Sequence, residues 1–187
     1  MKNALYELIN NELSRAVVEK EHAWKVFTFA NTNQNNEPVA RSVILRSYEF
    51  NQVSFFTDFR SDKIEALKNN HTVSLCFYSN LLKLQLQIKA KAIIYHKDNL
   101  CKEQWDSTYW TSLLCYHMQR KPSTVLDEPF LLNAENMSKD EAYKNFAVIV
   151  CKSIEWDVLE LKEKGNQRSK FTFDMGGSFN KAQFLAP

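Results

Sequence analysis

Glycine is nearly missing from this chain, with three in 187 residues. No G-x-G-x-x-G or G-x-x-x-x-G-K run exists, which excludes a glycine-rich dinucleotide turn and a P-loop. The single Gly-Gly pair, Gly176-Gly177, follows Asp174-Met175 and reads as a turn. Cys76, Cys101, Cys115 and Cys151 form no C-x-x-C pair, and His22, His71, His96 and His117 stand far apart. That spacing gives no metal site and predicts reduced, mostly buried thiols in a cytoplasmic protein. No apolar run approaches a membrane span, and Met1-Lys2-Asn3 leads into an amphipathic pattern rather than a signal-peptide core. Charge of one sign is also lacking. The formal net charge is +2, and no RRM octamer, zinc-finger spacing or basic-region heptad accompanies it, so neither nucleic acid nor membrane is an expected partner. No Ser-His-Asp or Cys-His pairing stands out, and no two carboxylates suggest an acid/base couple.

What is present is a chain of one-domain length with enough apolar residues for a core. Leu5, Leu8, Ile9, Leu13, Ala16 and Val17 recur at helical spacing and predict a helix over 2–20. Strands are expected at Ala23–Ala30, Val39–Tyr48 and Val53–Asp58, joined by turns at 31–38 and 49–52, as an antiparallel meander. Ser61 is the expected N-cap of a short helix ending at Asn69-Asn70. Val73–Tyr78 reads as a buried strand. From Leu82 to Ala92 apolar and polar residues alternate, so Leu82–Tyr95 is a long strand with one wet face. Asp98–Met118 reads as helix and Lys121–Pro129 as loop, and Ser138-Lys-Asp-Glu141 has the form of a capping box. Phe146–Ser153, Trp156–Lys162 and Lys170–Phe173 are the last expected strands, with a turn through Gly165. The fold class is mainly β: a small antiparallel barrel, closed or split, with peripheral helices.

The stretch Arg41–Ala92 carries the chemistry. Cations stand at the ends of one strand, Arg41 and Arg46, and at a helix start, Arg60, Ser61 and Lys63. A helix N-terminus presents unpaired N–H groups and the positive end of its dipole, and cationic donors beside it suit a phosphate. Arg41 and Arg46 are five apart, so on a regular strand they face opposite ways. They reach one ligand only where the strand bulges, ends or turns a barrel corner; otherwise the row is solvated surface charge. Phe56-Thr57 offers a ring and a hydroxyl. Gln85, on the polar strand face, offers both donor and acceptor to a heterocycle edge or is simply solvated. Trp105, Tyr109, Trp110, Tyr116 and Trp156 read as core or interface before ligand wall.

Arg41-Ser-Val-Ile-Leu-Arg46, Phe56-Thr57, Arg60-Ser-x-Lys63 and Gln85 together resemble the flavin-binding core of the pyridoxamine 5′-phosphate oxidase-like proteins. The likeness covers about residues 22–95, and Leu185-Ala-Pro187 is similar to the family's C-terminal ending. It implies an antiparallel Greek-key split barrel, a homodimer, and FMN at the subunit interface. Carried over, Arg41, Arg46, Ser61 and Lys63 would grip the phosphate. Ser42 and Val43 would lie beside the flavin, Ile44 would belong to the same cofactor-binding strand, Phe56 and Thr57 would line the cofactor, and Gln85 would hydrogen-bond the ring or its chain. A single domain over 1–187 follows: helix 1–20, flavin-binding core 22–95, helical insertion 98–145, and closing strands with a C-terminal tail over 146–187.

The departures fall on the substrate side. The oxidases have Arg-Lys where this chain has Asp62-Lys63, and Arg where it has Leu84. Their C-terminal Trp and Arg-x-His have no clear counterparts near Leu161 and Asn166-Gln167-Arg168, which leaves the roles of Arg168 and Lys170 open. The implied function is therefore an FMN-binding flavoprotein, an oxidoreductase acting on a small molecule. The alternatives are a genuine pyridoxamine or pyridoxine 5′-phosphate oxidase, and a non-catalytic module holding a flavin or haem.

Overall fold

The computed structural model describes residues 2–128, 138–174 and 176–187. Pro129, the far bound of the expected loop, and Met175 lie outside the described residues. Helix α1 (Lys2–Val18) buries Ile9, Leu13 and Ala16 and lays Tyr6 over Trp156, with ring centroids 5.4 Å apart. Two strands follow as a hairpin, β1 (Val26–Thr32) and β2 (Pro38–Ile44), closed by Asn33, whose side-chain carbonyl accepts from the amides of Asn35 and Glu37.

The expected strand Val39–Tyr48 is in fact two. After β2 the chain turns a corner at Leu45-Arg46 and continues as β3 (Ser47–Glu49), which hairpins into β4 (Gln52–Asp58). At the corner the backbone changes partner. Leu45 N–H donates to Lys25 O at 2.8 Å, whereas Arg46 N–H donates to Ser54 O at 2.9 Å. Leu45 is buried in the core and pins the bend. The meander is thereby corrected, because β4 pairs with β3 and the distant β7, not with β2.

Helix α2 (Asp62–Asn69) precedes β5 (Thr72–Ser79) and β6 (Leu84–Tyr95), the latter alternating buried and open positions as its sequence does. The helical stretch 98–118 is broken into α3 (Asn99–Ser107), α4 (Trp110–Leu113) and a 3₁₀ turn at Leu114–His117. Thr108 causes the break: its hydroxyl donates to Gln104 O at 2.6 Å while its backbone goes extended. A threonine hydroxyl competes in this way with the helix ladder. Helix α5 (Lys139–Tyr143) starts at Ser138, whose Oγ accepts from Glu141 N–H.

The two strands expected over 146–162 are one, β7 (Phe146–Glu160), 15 residues long. Ile154 is absorbed as a bulge, since Ser153 pairs with Ala90 and Glu155 with Lys89. Strand β8 (Gln167–Phe173) follows. The expected C-terminal tail is a further strand, β9 (Phe179–Leu185), mostly open on both faces and so without readable alternation. Among the described residues nine strands form one antiparallel sheet in the order β2-β1-β5-β6-β7-β4-β3, with β8 on β7 and β9 on β8. The two ends of that path, β2 and β3, are joined by the two-residue corner, so the sheet curls into a half-barrel. The main core, with Phe29, Phe55, Phe77, Ile88, Ile149 and Trp156, fills it. A second core lies outside, where Trp105, Tyr116, Leu113 and Ala142 pack on Phe146, Val148 and Val150. Both faces of the first half of β7 are thus buried, which is why Phe-Ala-Val-Ile-Val-Cys reads as a continuous apolar run.

Candidate functional site

The corner brings the two strand cations to one place. A cavity of about 370 Å³ is lined by Arg41, Ser42, Val43 and Ile44 of β2, Arg46 of the corner, Phe56 and Thr57 of β4, and Lys63 of α2. Breaking the strand between Ile44 and Ser47 removes the objection that residues five apart face opposite ways. Being an edge strand, β2 also offers both of its faces to the cavity.

Each cation is held differently. Lys63 donates to Thr57 Oγ1 at 2.8 Å and to Ser61 Oγ at 2.9 Å. Burial, and next the neighbouring Arg41 charge, bring its ammonium down to about 8. Arg41 lies with its guanidinium 5.4 Å from the Phe29 ring centre and donates to Asn31 Oδ1. Burial lowers its pKa too. Arg46 stacks on Phe56 at 4.9 Å, and its Nε is buried without a partner among the described residues. No carboxylate lines the cavity among the described residues. Clustered cations with an unused buried donor and no acid between them are the donor set for a dianion.

Ser61 and Gln85 stand elsewhere. Ser61 occupies the N-cap position, but its hydroxyl donates to Asp58 O at 2.6 Å rather than capping the helix, and the residue supports Lys63 from behind. Arg60 turns away from the cavity. It pairs with Asp58 at 2.7 Å and donates to Gln119 O at 3.0 Å, which ties the 98–120 segment to the start of α2. Gln85 lies on the outward face of the sheet opposite Tyr78, outside the cavity of this chain. Arg168 is paired with Asp157 through two hydrogen bonds of 2.8 and 2.7 Å, and Lys170 with Glu155 at 3.1 Å, both away from the cavity.

Ser112, Cys115 and Tyr116 form the far wall; the sequence offers Tyr116 only among aromatics that read as core or interface before ligand wall, and marks neither Ser112 nor Cys115 as a site residue. Tyr116 belongs also to the second core, and burial raises its phenol above the ordinary range. The helical pattern of 98–118 hides these positions, because nothing in it marks the break that turns them toward β2.

Comparison with known proteins fits this geometry. The model of the pyridoxamine 5′-phosphate oxidase, FMN-binding domain family matches residues 2–96. The chain belongs to this family. Its matched region contains all three cavity cations and Gln85, and FMN is the cofactor of the family's domain. The pyridoxine/pyridoxamine 5′-phosphate oxidase of Pelagibacter ubique is 26% identical, over 98% of this chain and 90% of that protein. The oxidase of the same name from Colwellia psychrerythraea is 31% identical over a shorter stretch, 35% of this chain and 30% of that one. Two solved structures share the fold. PhzG from Burkholderia lata, in complex with tetrahydrophenazine-1-carboxylic acid, has a TM-score of 0.76 at 17% identity, covering 98% of this chain and 92% of that one. A pyridoxamine 5′-phosphate oxidase-related, FMN-binding protein from Nostoc punctiforme has a TM-score of 0.73 at 16% identity, covering 97% and 96%. These likenesses explain the curled antiparallel sheet as the split barrel of this family, with the 98–118 segment packed on the outside of β7.

The residues present fit FMN. A phosphate monoester carries close to two negative charges at neutral pH, and the cavity offers Arg41, Arg46 and Lys63 to meet them. The ring of Phe56 and the aliphatic Val43 and Ile44 supply apolar wall beside them.

Proposed function

We propose that this protein is an FMN-dependent oxidoreductase acting on a small molecule in the cytoplasm, and that it works as a homodimer. The observation that carries the reading is the convergence of Arg41, Arg46 and Lys63 on one cavity beside Phe56 and Thr57. When bound, FMN supplies hydride chemistry; the protein supplies binding, orientation and the electrostatic setting. Arg41 and Lys63 bind the phosphate, with Thr57 and Ser61 fixing the ammonium. Arg46 adds a third donor from the corner, and Ser42, Val43 and Ile44 run alongside the chain and ring. Ser112, Cys115 and Tyr116 face them and limit access of water from the insertion side.

The homodimer is supported by the outward face of β2-β1-β5-β6. Val26, Ile44 and Tyr78 are exposed there by 53%, 43% and 47%, beside the uncharged Thr28, Ser42 and Cys76. Ser42 and Ile44 belong both to this face and to the cavity, so a second copy laid on it closes the cavity's open side. Gln85 is on the same face and joins the site across the interface.

A second reading, a pyridoxine or pyridoxamine 5′-phosphate oxidase, is favoured by the near full-length match to the Pelagibacter ubique protein. Aerobic turnover of pyridoxamine 5′-phosphate to pyridoxal 5′-phosphate separates it from the first. The test of the main reading is the absorption spectrum of purified protein after FMN addition and desalting. Retained flavin bands, lost in Lys63→Ala, are expected; a colourless protein indifferent to that substitution overturns the reading.

A further inference from the structure

The Arg41 guanidinium would swing freely if nothing held it, because β2 is an edge strand with no strand on its outer side among the described residues. It is held by Asn31, from the partner strand of the same hairpin. Asn31 Oδ1 accepts from Arg41 Nη1, while Asn31 Nδ2 donates to Thr32 O at 2.7 Å. The second bond fixes which way the amide points, so the oxygen and not the nitrogen meets the arginine. Asn31 is only 7% exposed, so the bond is shielded from competing water. Phe29, which pairs with Arg41 across the hairpin, carries the guanidinium against its ring at 5.4 Å. Amide and ring together leave the arginine one orientation before any ligand arrives. Asn31 itself does not line the cavity.

We propose that Asn31 is a positioning residue for phosphate recognition: it preorganises Arg41 and thereby sets the preference for a phosphorylated flavin. The proposal rests on the FMN reading given above. An immobilised long side chain loses rotamer freedom before binding rather than during it, which strengthens the contact it makes. Only the phosphate end of the ligand feels this, since among the described residues the side-chain hydrogen bonds of Asn31 run to Arg41 and Thr32, and Arg41 alone of the two lines the cavity.

The test compares FMN with riboflavin, which lacks the phosphate, binding to full-length protein stripped of flavin. Asn31→Ala is expected to weaken FMN binding about three- to tenfold and to leave riboflavin within about twofold, consistent with freeing one side chain. In the Arg41→Ala background the same substitution is expected to change neither ligand, since the residue it acts through is gone. Riboflavin binding also reports that each variant is folded. If Asn31→Ala weakens both ligands alike, or costs FMN affinity equally with and without Arg41, the positioning role is overturned while the FMN reading stands. If wild-type protein shows no preference for FMN over riboflavin, the FMN-phosphate reading fails, and the role of Asn31 fails with it.

Discussion

Binding of FMN should weaken about tenfold between pH 7 and pH 9, and Lys63 is the reason. Its ammonium sits between Thr57 Oγ1 and Ser61 Oγ, partly withdrawn from water and near Arg41, and ionises at about 8 in the free protein. A bound phosphate dianion favours the charged form, so the proton stays on Lys63 in the complex to a higher pH than in the free protein. Above 8 the complex therefore holds more protons than the free protein, and affinity falls as pH rises. With one linked proton, the charged fraction of free Lys63 drops from about nine-tenths at pH 7 to about one-tenth at pH 9. That is about a tenfold loss, or ~1.4 kcal/mol. Below pH ~6 the ligand's own second phosphate proton reverses the trend, giving a maximum between the two. Calorimetric titration at constant ionic strength measures it, with Lys63→Met as control. The variant should bind more weakly at pH 7 and lose the slope above 7. A wild-type affinity flat from pH 7 to 9, or a slope retained in Lys63→Met, refutes the placement of Lys63 at the phosphate.

Further outcomes follow from the same contacts. Arg60→Ala strips the nearly buried Asp58 of its partner and unties Gln119, and should cost about 2 kcal/mol in urea unfolding. Ile149→Ala opens a void at a fully buried site on β7 and should cost about 2–5 kcal/mol in the same assay. Gly177 has φ +84, and an added Cβ would stand 3.0 Å from Phe50 O. Gly177→Ala should therefore lower stability by about 1–2 kcal/mol and loosen the β8–β9 turn from the β3–β4 hairpin. Gln85→Leu should weaken flavin binding in protein that sediments as a dimer while leaving the pH slope of Lys63 unchanged; an unaltered affinity would remove Gln85 from the site.

How far the sequence reads is clearest at particular elements. Strand β6 is legible because Leu84, Leu86, Ile88 and Ala90 bury one face while Gln87, Lys89 and Lys91 stay wet, a period nothing in the fold disturbs. The corner at Leu45-Arg46 is not, because Val-Ile-Leu-Arg-Ser-Tyr carries no glycine or proline; the bend is imposed by Leu45 burying and by the change of hydrogen-bond partner. The sequence reads as a break in β7 at Ile154-Glu155, where a bulge, not an end, absorbs the irregularity. The cations were visible as residue types, and the family likeness gave their grouping. Their convergence on one cavity depends on the corner, and the far wall of Ser112, Cys115 and Tyr116 on a helix break made by one threonine hydroxyl. Gln85 was legible as a polar strand residue, yet in one chain it faces away from the cavity, so its place at the site depends on a second copy.

The cations around Lys63 are placed to hold the phosphate of a flavin. Titrating flavin-free protein with FMN and with riboflavin at pH 7 tests it most directly. Charge-assisted hydrogen bonds from Arg41, Arg46 and Lys63 should favour FMN by at least about thirtyfold, the worth of one such bond at its usual ~2 kcal/mol. Equal affinities for the two ligands, or binding of neither, would mean that these cations do not hold a flavin phosphate.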